Sequence, residues 1–184
     1  SDIEGQMYWM QDTRMTGNQR GNKTLRSPWP VLGVVMRNTS GIALLGKRVA
    51  QRERDTTNIN EFGGRAIGYA STLRQAGIVA IDEHLPSAGV ANNDFFWGIL
   101  FGGAILLTAN AGADFPEDIA AHSRLIAGTA GGTTTSLAGR IASVTLSTAT
   151  QALETPIIGW ALTARTTGNT GSEVFVRMTL GFKE

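Results

Sequence analysis

The sequence predicts an all-β protein, a β-sandwich or barrel of jelly-roll-like kind, with an extended N-terminal arm and at most one short helix. Three observations predict it. Short apolar runs recur along the chain, separated by Gly, Asn and Ser clusters of the kind that turn a backbone. The segment Asn92, Asn93, Asp94, Phe95, Phe96, Trp97 sets three turn-forming residues directly before three that fill a pleated, half-buried surface. The C-terminal region reads as a hairpin, with runs at 156–162 and 174–180 joined across Gly168, Asn169 and Gly171.

Residues 1–30 form the predicted arm and residues 31–184 the β-domain. The arm lacks periodicity and scatters Met7, Tyr8, Trp9, Met10, Met15 and Trp29 among Gly, Asn and Gln. It cannot bury these side chains by itself, so the expectation is an extended segment docked on the body or on another subunit.

The body begins with a buried-strand pattern at 31–36, a turn at Asn38, Thr39, Ser40 and Gly41, a second apolar run at 42–45 and a polar stretch to Asn60. Runs at 66–70 and 78–81 read as strands. Between Asp82 and Thr108, where a glycine-flanked apolar run follows the aromatic triplet, the pattern suggests two strands introduced by a turn at Asn92, Asn93 and Asp94. Asp114, Pro116, Glu117 and Asp118 before Ile119 carry the marks of a helix start, the one short helix expected. A small-residue loop at 128–136 precedes an alternating run at 140–146. In the last run Val174, Val176, Met178, Leu180 and Phe182 share one face, and Arg177 and Thr179 the other.

Composition removes several classes of function. At 184 residues the chain can bury a core as one domain, and with no cysteine it has neither disulfides nor thiolate metal sites. No apolar run reaches the roughly 18 residues of a membrane span, and no export signal is evident, so the expectation is a soluble chain with no membrane partner. Asn38-Thr39-Ser40 matches a glycosylation sequon, idle without a secretory route. The net charge of +1 conceals an asymmetry. From Arg14 to Arg52 there are eight Lys or Arg and no acid, whereas from Glu61 onward ten acids face seven bases. A basic first third suits an acidic surface or head-to-body self-association. Its widely spaced charges, without a recognition helix or stacking strand, do not suggest nucleic-acid binding.

Catalytic motifs are weak. Gly41 to Lys47 approaches a phosphate-binding loop, but Arg48 stands where Ser or Thr would ligate magnesium, and Leu44 and Leu45 crowd the cradle. The apolar run ending in Asp82 and Glu83 does not rescue it without a following helix. His84 and His122 lie outside any metal-spaced cluster, and no nucleophile elbow accompanies the serines. The expectation is a non-enzyme without cofactor or metal.

Several phrases resemble small capsid decoration, or cement, proteins of tailed bacteriophages: residues 38–46, Gly68 to Ala70, residues 90–97 with Gly102, Gly103 and Ala104, residues 158–161, and residues 176–180. The resemblance covers roughly residues 31–184. It implies a β-domain on the outside of the virion, assembled in the host cytoplasm, often a homotrimer, bracing major capsid protein subunits without catalytic residues. Interface candidates are Tyr8, Trp9, Arg14, Arg20, Arg26, Trp29, Phe95 and Trp97, with Trp160 as a further aromatic anchor. Of Phe96 and Trp97 only one is expected in the core, because adjacent strand residues face opposite ways. The alternative reading is a carbohydrate-binding or receptor-binding β-module using Asp94, Trp97 and the neighbouring Asn residues.

Overall fold

The computed structural model describes residues 3–11, 15–16, 24–25, 30–54, 62–70, 77–109, 118–128, 138–143, 157–165 and 173–179. The strands are β1 (Met7–Gln11), β2 (Met15–Thr16), β3 (Thr24–Leu25), β4 (Pro30–Asn38), β5 (Val49–Arg54), β6 (Phe62–Tyr69), β7 (Ile78–Ile81), β8 (Phe95–Thr108), β9 (Arg124–Ala127), β10 (Ile141–Ser143), β11 (Gly159–Ala161) and β12 (Glu173–Met178). The protein is all-β, and no helix occurs among the described residues. Among the described residues, β2 and β3 pair only with each other, and the remaining strands form one ten-stranded sheet.

That sheet closes on itself. β4, β6, β5, β7 and β8 follow one another around a ring, and β8 returns to β4 to complete a barrel. All pairs in the ring are antiparallel except β4 with β6. β8 then runs on to start a second ring of β8, β12, β11, β9 and β10, closed by a parallel bridge between Ala109 and Ile141. Adding four to each strand number of the first ring gives the second, with the same pair parallel in both.

The correspondence extends to residues. Starting from the parallel pairs Asn38–Ala66 and Ala109–Ile141, the register through β4 and β8 equates Val34 with Ile105 and Gly98 with Val176. Going the other way round, through β6, β5 and β7, equates Ala50 with Leu125, Val79 with Gly159 and Ile81 with Ala161, and again reaches Gly98 and Val176. Hydrogen bonds outside the ladders repeat too. Leu44 and Val90 exchange backbone bonds at 3.0 and 2.8 Å, as Ile119 and Arg165 do at 3.0 and 2.7 Å. Asp82 N–H reaches Trp97 O in the first half, and Leu162 N–H reaches Phe175 O in the second. The chain is thus two barrels of one topology that share a strand.

Each barrel has its own core. Val34, Met36, Leu44, Val79, Ile81, Phe96 and Leu100 fill the first. Ile105, Leu107, Ile119, Leu125, Ile141, Val174, Val176 and Met178 fill the second, joined by Val31, Val49 and Ile99 from the first barrel's strands. The inward residues come from alternate positions, as the period of a strand requires.

Several sequence expectations need correction. The region expected as two strands is the single strand β8, because Gly102 and Gly103, at φ 79° and 69°, bend the strand without ending it. An added Cβ at Gly102 would lie 2.2 Å from Pro30 O, so only glycine passes this crossing. The run at 42–45 contributes only the Leu44 bridge, while the polar stretch after it contains β5. The helix expected at Ile119 is absent. Its backbone is bound to Arg165 instead, and residues 114–117 lie outside the described residues. The C-terminal hairpin is present as β11 and β12, with Val174, Val176 and Met178 buried and Arg177 and Thr179 half-buried on the other face. Leu180 and Phe182 lie outside the described residues, as do the loop at 129–136 and residues 144–146.

Candidate interaction surface

Within the segment expected as an arm, β1 pairs antiparallel with β4 in the register Met7–Val34 to Gln11–Pro30. It ends the ten-stranded sheet, and its sequence, MYWMQ, holds neither the charge nor the proline that natural edge strands use to discourage further pairing. The approach of β1 is fixed just upstream. Gly5 N–H donates to Val35 O and Val35 N–H to Gln6 O, both at 2.9 Å. Gly64 lets the two backbones touch, since a Cβ there would lie 2.2 Å from Gly5 N.

Glu4 completes the anchor. Its carboxylate accepts from Arg65 Nε at 2.8 Å and lies 3.9 Å from Arg37 Nη1. The hydrogen bond to Glu4, then its charge, raises the Arg65 pKa above its ordinary value. Glu53 lies 3.8 Å from the same guanidinium.

On this base stands an apolar face. Phe96 is buried at 4 % exposure while Phe95 and Trp97 stand out at 41 % and 38 %, the alternation expected of adjacent strand residues. Tyr8 meets Trp97 edge to face, with ring centroids 5.6 Å apart. Between them Gly33 keeps β4 bare. A Cβ there would lie 2.4 Å from Met10 Cε and 3.3 Å from Trp97 Cε3, so glycine is what allows both side chains to cross the strand. On the opposite face of β1, Trp9 sits edge to face with Phe101 at 6.1 Å and remains 63 % exposed. Met7, also on that face, is exposed as well. Exposed aromatic side chains thus stand on both faces of this edge, Tyr8 with Trp97 on one and Trp9, against Phe101, on the other, and such side chains open to water are the composition of a protein-binding surface.

The structure therefore brings Tyr8 and Trp97 together, with Phe95 on the same face of β8, and sets Trp9 on the opposite face of β1. Arg14, Arg20, Arg26 and Trp29 lie outside the described residues. Trp160 belongs to the second barrel, half-buried with the Arg124 guanidinium 5.4 Å from its ring centroid. Met10, Gly33, Phe101 and the Glu4–Arg65 pair complete the site. Sequence carries no signal for these, because each acts through a residue distant in the chain.

The other candidates take structural partners. Lys47 ion-pairs with Glu173 at 2.5 Å, and strand β5, not a helix, follows it. His84 Nδ1 lies 3.1 Å from Asp82 Oδ1 in an exposed turn, and no cluster of three metal-binding side chains occurs among the described residues. Asn92 Oδ1 accepts Gly41 N–H at 2.9 Å and Asn93 Oδ1 accepts from Arg37 at 3.3 Å, so both side chains brace the loop beside Phe95. Asn38, the sequon residue, is fully buried, with its amide bound to carbonyls. No helix is long and apolar enough to cross a membrane among the described residues. No family model matches the chain, and no curated protein matches it in sequence.

Proposed function

We propose that this chain is a non-enzymatic structural protein of a bacteriophage capsid, a decoration protein that binds major capsid subunits from outside and strengthens their contacts. The observation that carries the reading is the edge strand β1, presenting Tyr8 against Trp97 on one face and exposed Met7 and Trp9 on the other. An unblunted edge can add a strand from a partner, and aromatic anchors on a rigid barrel bind at little entropic cost. On a symmetric shell, many such modest contacts sum through avidity. The capsid itself enters through the resemblance of the β-domain phrases, as do the trimer and the virion location.

The second reading, a carbohydrate- or receptor-binding module, draws on Trp97 and Phe95 beside Asn92, Asn93 and Asp94. It is the weaker, because the side-chain oxygens of both asparagines are engaged in holding the loop.

Co-sedimentation with undecorated shells of the phage that encodes the chain tests the proposal. The wild type should pellet with the shells, whereas Trp9→Ala and Trp97→Ala should remain in the supernatant with unchanged circular dichroism. Wild-type protein left in the supernatant would overturn the reading, and saturable binding on a glycan array would favour the second.

A further inference from the structure

Among the described residues, the seam between the two barrels holds an unbalanced positive charge. Arg48 leads into β5 of the first barrel and Arg140 into β10 of the second. The turn at Ala138 and Gly139 locks them together. Arg48 Nη1 donates to Ala138 O at 3.1 Å, and Val49 N–H donates to Gly139 O at 2.8 Å. Gly139, at φ 71°, packs so tightly that a Cβ would lie 2.4 Å from the Tyr69 ring. Arg48 is only 9 % exposed, and its hydrogen bond goes to a neutral carbonyl. Arg140 is half-buried, and its Nε and Nη1 are buried without a hydrogen-bond partner. Neither residue forms an ion pair among the described residues. Burial first, then the neighbouring guanidinium, lowers both pKa values: Arg140 acts on Arg48, and Arg165 on Arg140. Buried cations in mutual repulsion are costly unless an anion accompanies them.

The duplicated topology identifies what is missing. Arg140 precedes Ile141 as Arg65 precedes Ala66, and these two residues occupy equivalent positions in the parallel pairs. Arg65 is neutralised by Glu4 and Glu53. The register that equates Arg52 with Ala127 sets Glu53 against Gly128. The second barrel has kept the cation and carries no side chain where the first places Glu53.

We propose that Arg140 and Arg48 form an anion site for a small tetrahedral oxyanion of the phosphate class, bound at the seam of the two barrels. Guanidinium forks match phosphate oxygens, and a bound dianion would relieve the repulsion between the two arginines and tie the second barrel to the first. The ligand is either free phosphate or the phosphate group of an ester.

Thermal unfolding of the full chain at constant ionic strength tests this, with inorganic phosphate, a simple phosphate monoester or acetate raised from about 0.1 to about 20 mM. Phosphate should raise Tm saturably by about 2–4 °C. A matching rise with the monoester would mean that the site accepts an esterified group, and no rise with the monoester would restrict it to free phosphate. Arg140→Met should abolish the response and, without phosphate, melt above the wild type, because it removes an unpaired buried charge. An equal rise in Arg140→Met would reduce the effect to general salting-out and overturn the site, as would an equal response to acetate. Calorimetric titration of phosphate into wild-type protein decides independently of the variant: saturable heat supports the site and its absence overturns it.

Discussion

Gly98 of β8 lies beside Val79 of the neighbouring strand β7 on the inner face of the first barrel, and at the equivalent place in the second barrel the sizes are exchanged. A Cβ on Gly98 would lie 2.2 Å from Val79 Cγ2, while one on Gly159 would lie 2.9 Å from Val176 Cγ1 and 2.4 Å from the Arg177 backbone oxygen. Each barrel therefore accommodates one β-branched side chain at this level and leaves its partner bare. The two rings solve one packing problem in mirror fashion, as close-packed interiors demand.

A double-mutant cycle follows. Gly98→Val alone should destabilise by about 2–3 kcal/mol, because Val79 is stiff at χ1 and cannot swing aside. Combining it with Val79→Gly should recover about 1 kcal/mol or more relative to the sum of the single changes, since the pair then reproduces Val176 and Gly159. Urea unfolding of the four proteins measures the coupling. Simple additivity would contradict the equivalence of the two sites.

Lys47 and His122 repeat the correspondence in the backbone. Both are in the left-handed region, at φ 60° and 68°, two residues before Val49 and Arg124. Lys47 N–H donates to Ile81 O at 3.3 Å and His122 N–H to Ala161 O at 2.7 Å. His122→Gly should be neutral or stabilising by up to about 1 kcal/mol, and His122→Val should cost about 1–2 kcal/mol, because a β-branched residue is poorly tolerated at positive φ. Chemical denaturation of the two variants gives the difference directly.

Much of this architecture could be seen in the sequence where the signal is local. Period-two alternation required one of Phe96 and Trp97 to face inward, without deciding which, and Phe96 is the buried one; the facing runs of β11 and β12 announced their hairpin. The strand β5 was hidden because VAQRER reads as surface, yet Gln51 and Arg52 are buried, with Arg52 Nε donating to Gly63 O at 3.1 Å. Gly102 and Gly103 signal a break in any local reading, since only the crossing at Pro30 shows why a continuous strand needs them. The aromatic site was half visible. Its members stood out by type, but the contact of Tyr8 with Trp97 depends on β1 reaching β4, a pairing that no local pattern specifies.

Tyr69 couples the first core to pH. Its hydroxyl oxygen accepts Leu45 N–H at 2.8 Å, and burial raises its pKa above the ordinary value of 10.0, with the Leu45 hydrogen bond and the Arg48 charge opposing. Above pH 10 the unfolded chain gives up this proton while the folded chain keeps it, so the unfolded state binds fewer protons and stability falls as pH rises. The contribution is intact below the unfolded pKa and disappears as pH passes through the folded one. Tyr69→Phe should lose about 1 kcal/mol near neutrality, from the unpaired Leu45 N–H, and show a shallower decline above pH 10. Stability curves for both proteins between neutrality and alkaline pH provide the comparison, and parallel curves would remove Tyr69 from the alkaline transition.

Asn38 joins three segments at the end of β4, and its identity should be among the least replaceable in the chain. It is fully buried. Its Nδ2 donates to Ile42 O at 2.7 Å, Val90 O at 2.9 Å and Ala91 O at 3.2 Å, while Oδ1 accepts Ser40 N–H at 3.0 Å and Ser40 Oγ–H at 2.6 Å. Asn38→Ala should therefore cost about 2–4 kcal/mol, because it strands several buried groups at once. Asn38→Asp keeps the shape but turns the donor into an oxygen facing carbonyls. Its carboxyl must stay protonated to donate there, which raises its folded pKa above the ordinary value. A raised acid is bound more tightly by the folded state, so the variant should be most stable in acid and weaken as pH rises past the unfolded aspartate value near 4. Thermal midpoints of Asn38→Asp at acid and neutral pH, set against the wild type, measure this. Equal differences at both would mean that the amide nitrogen is not what binds the Val90 loop.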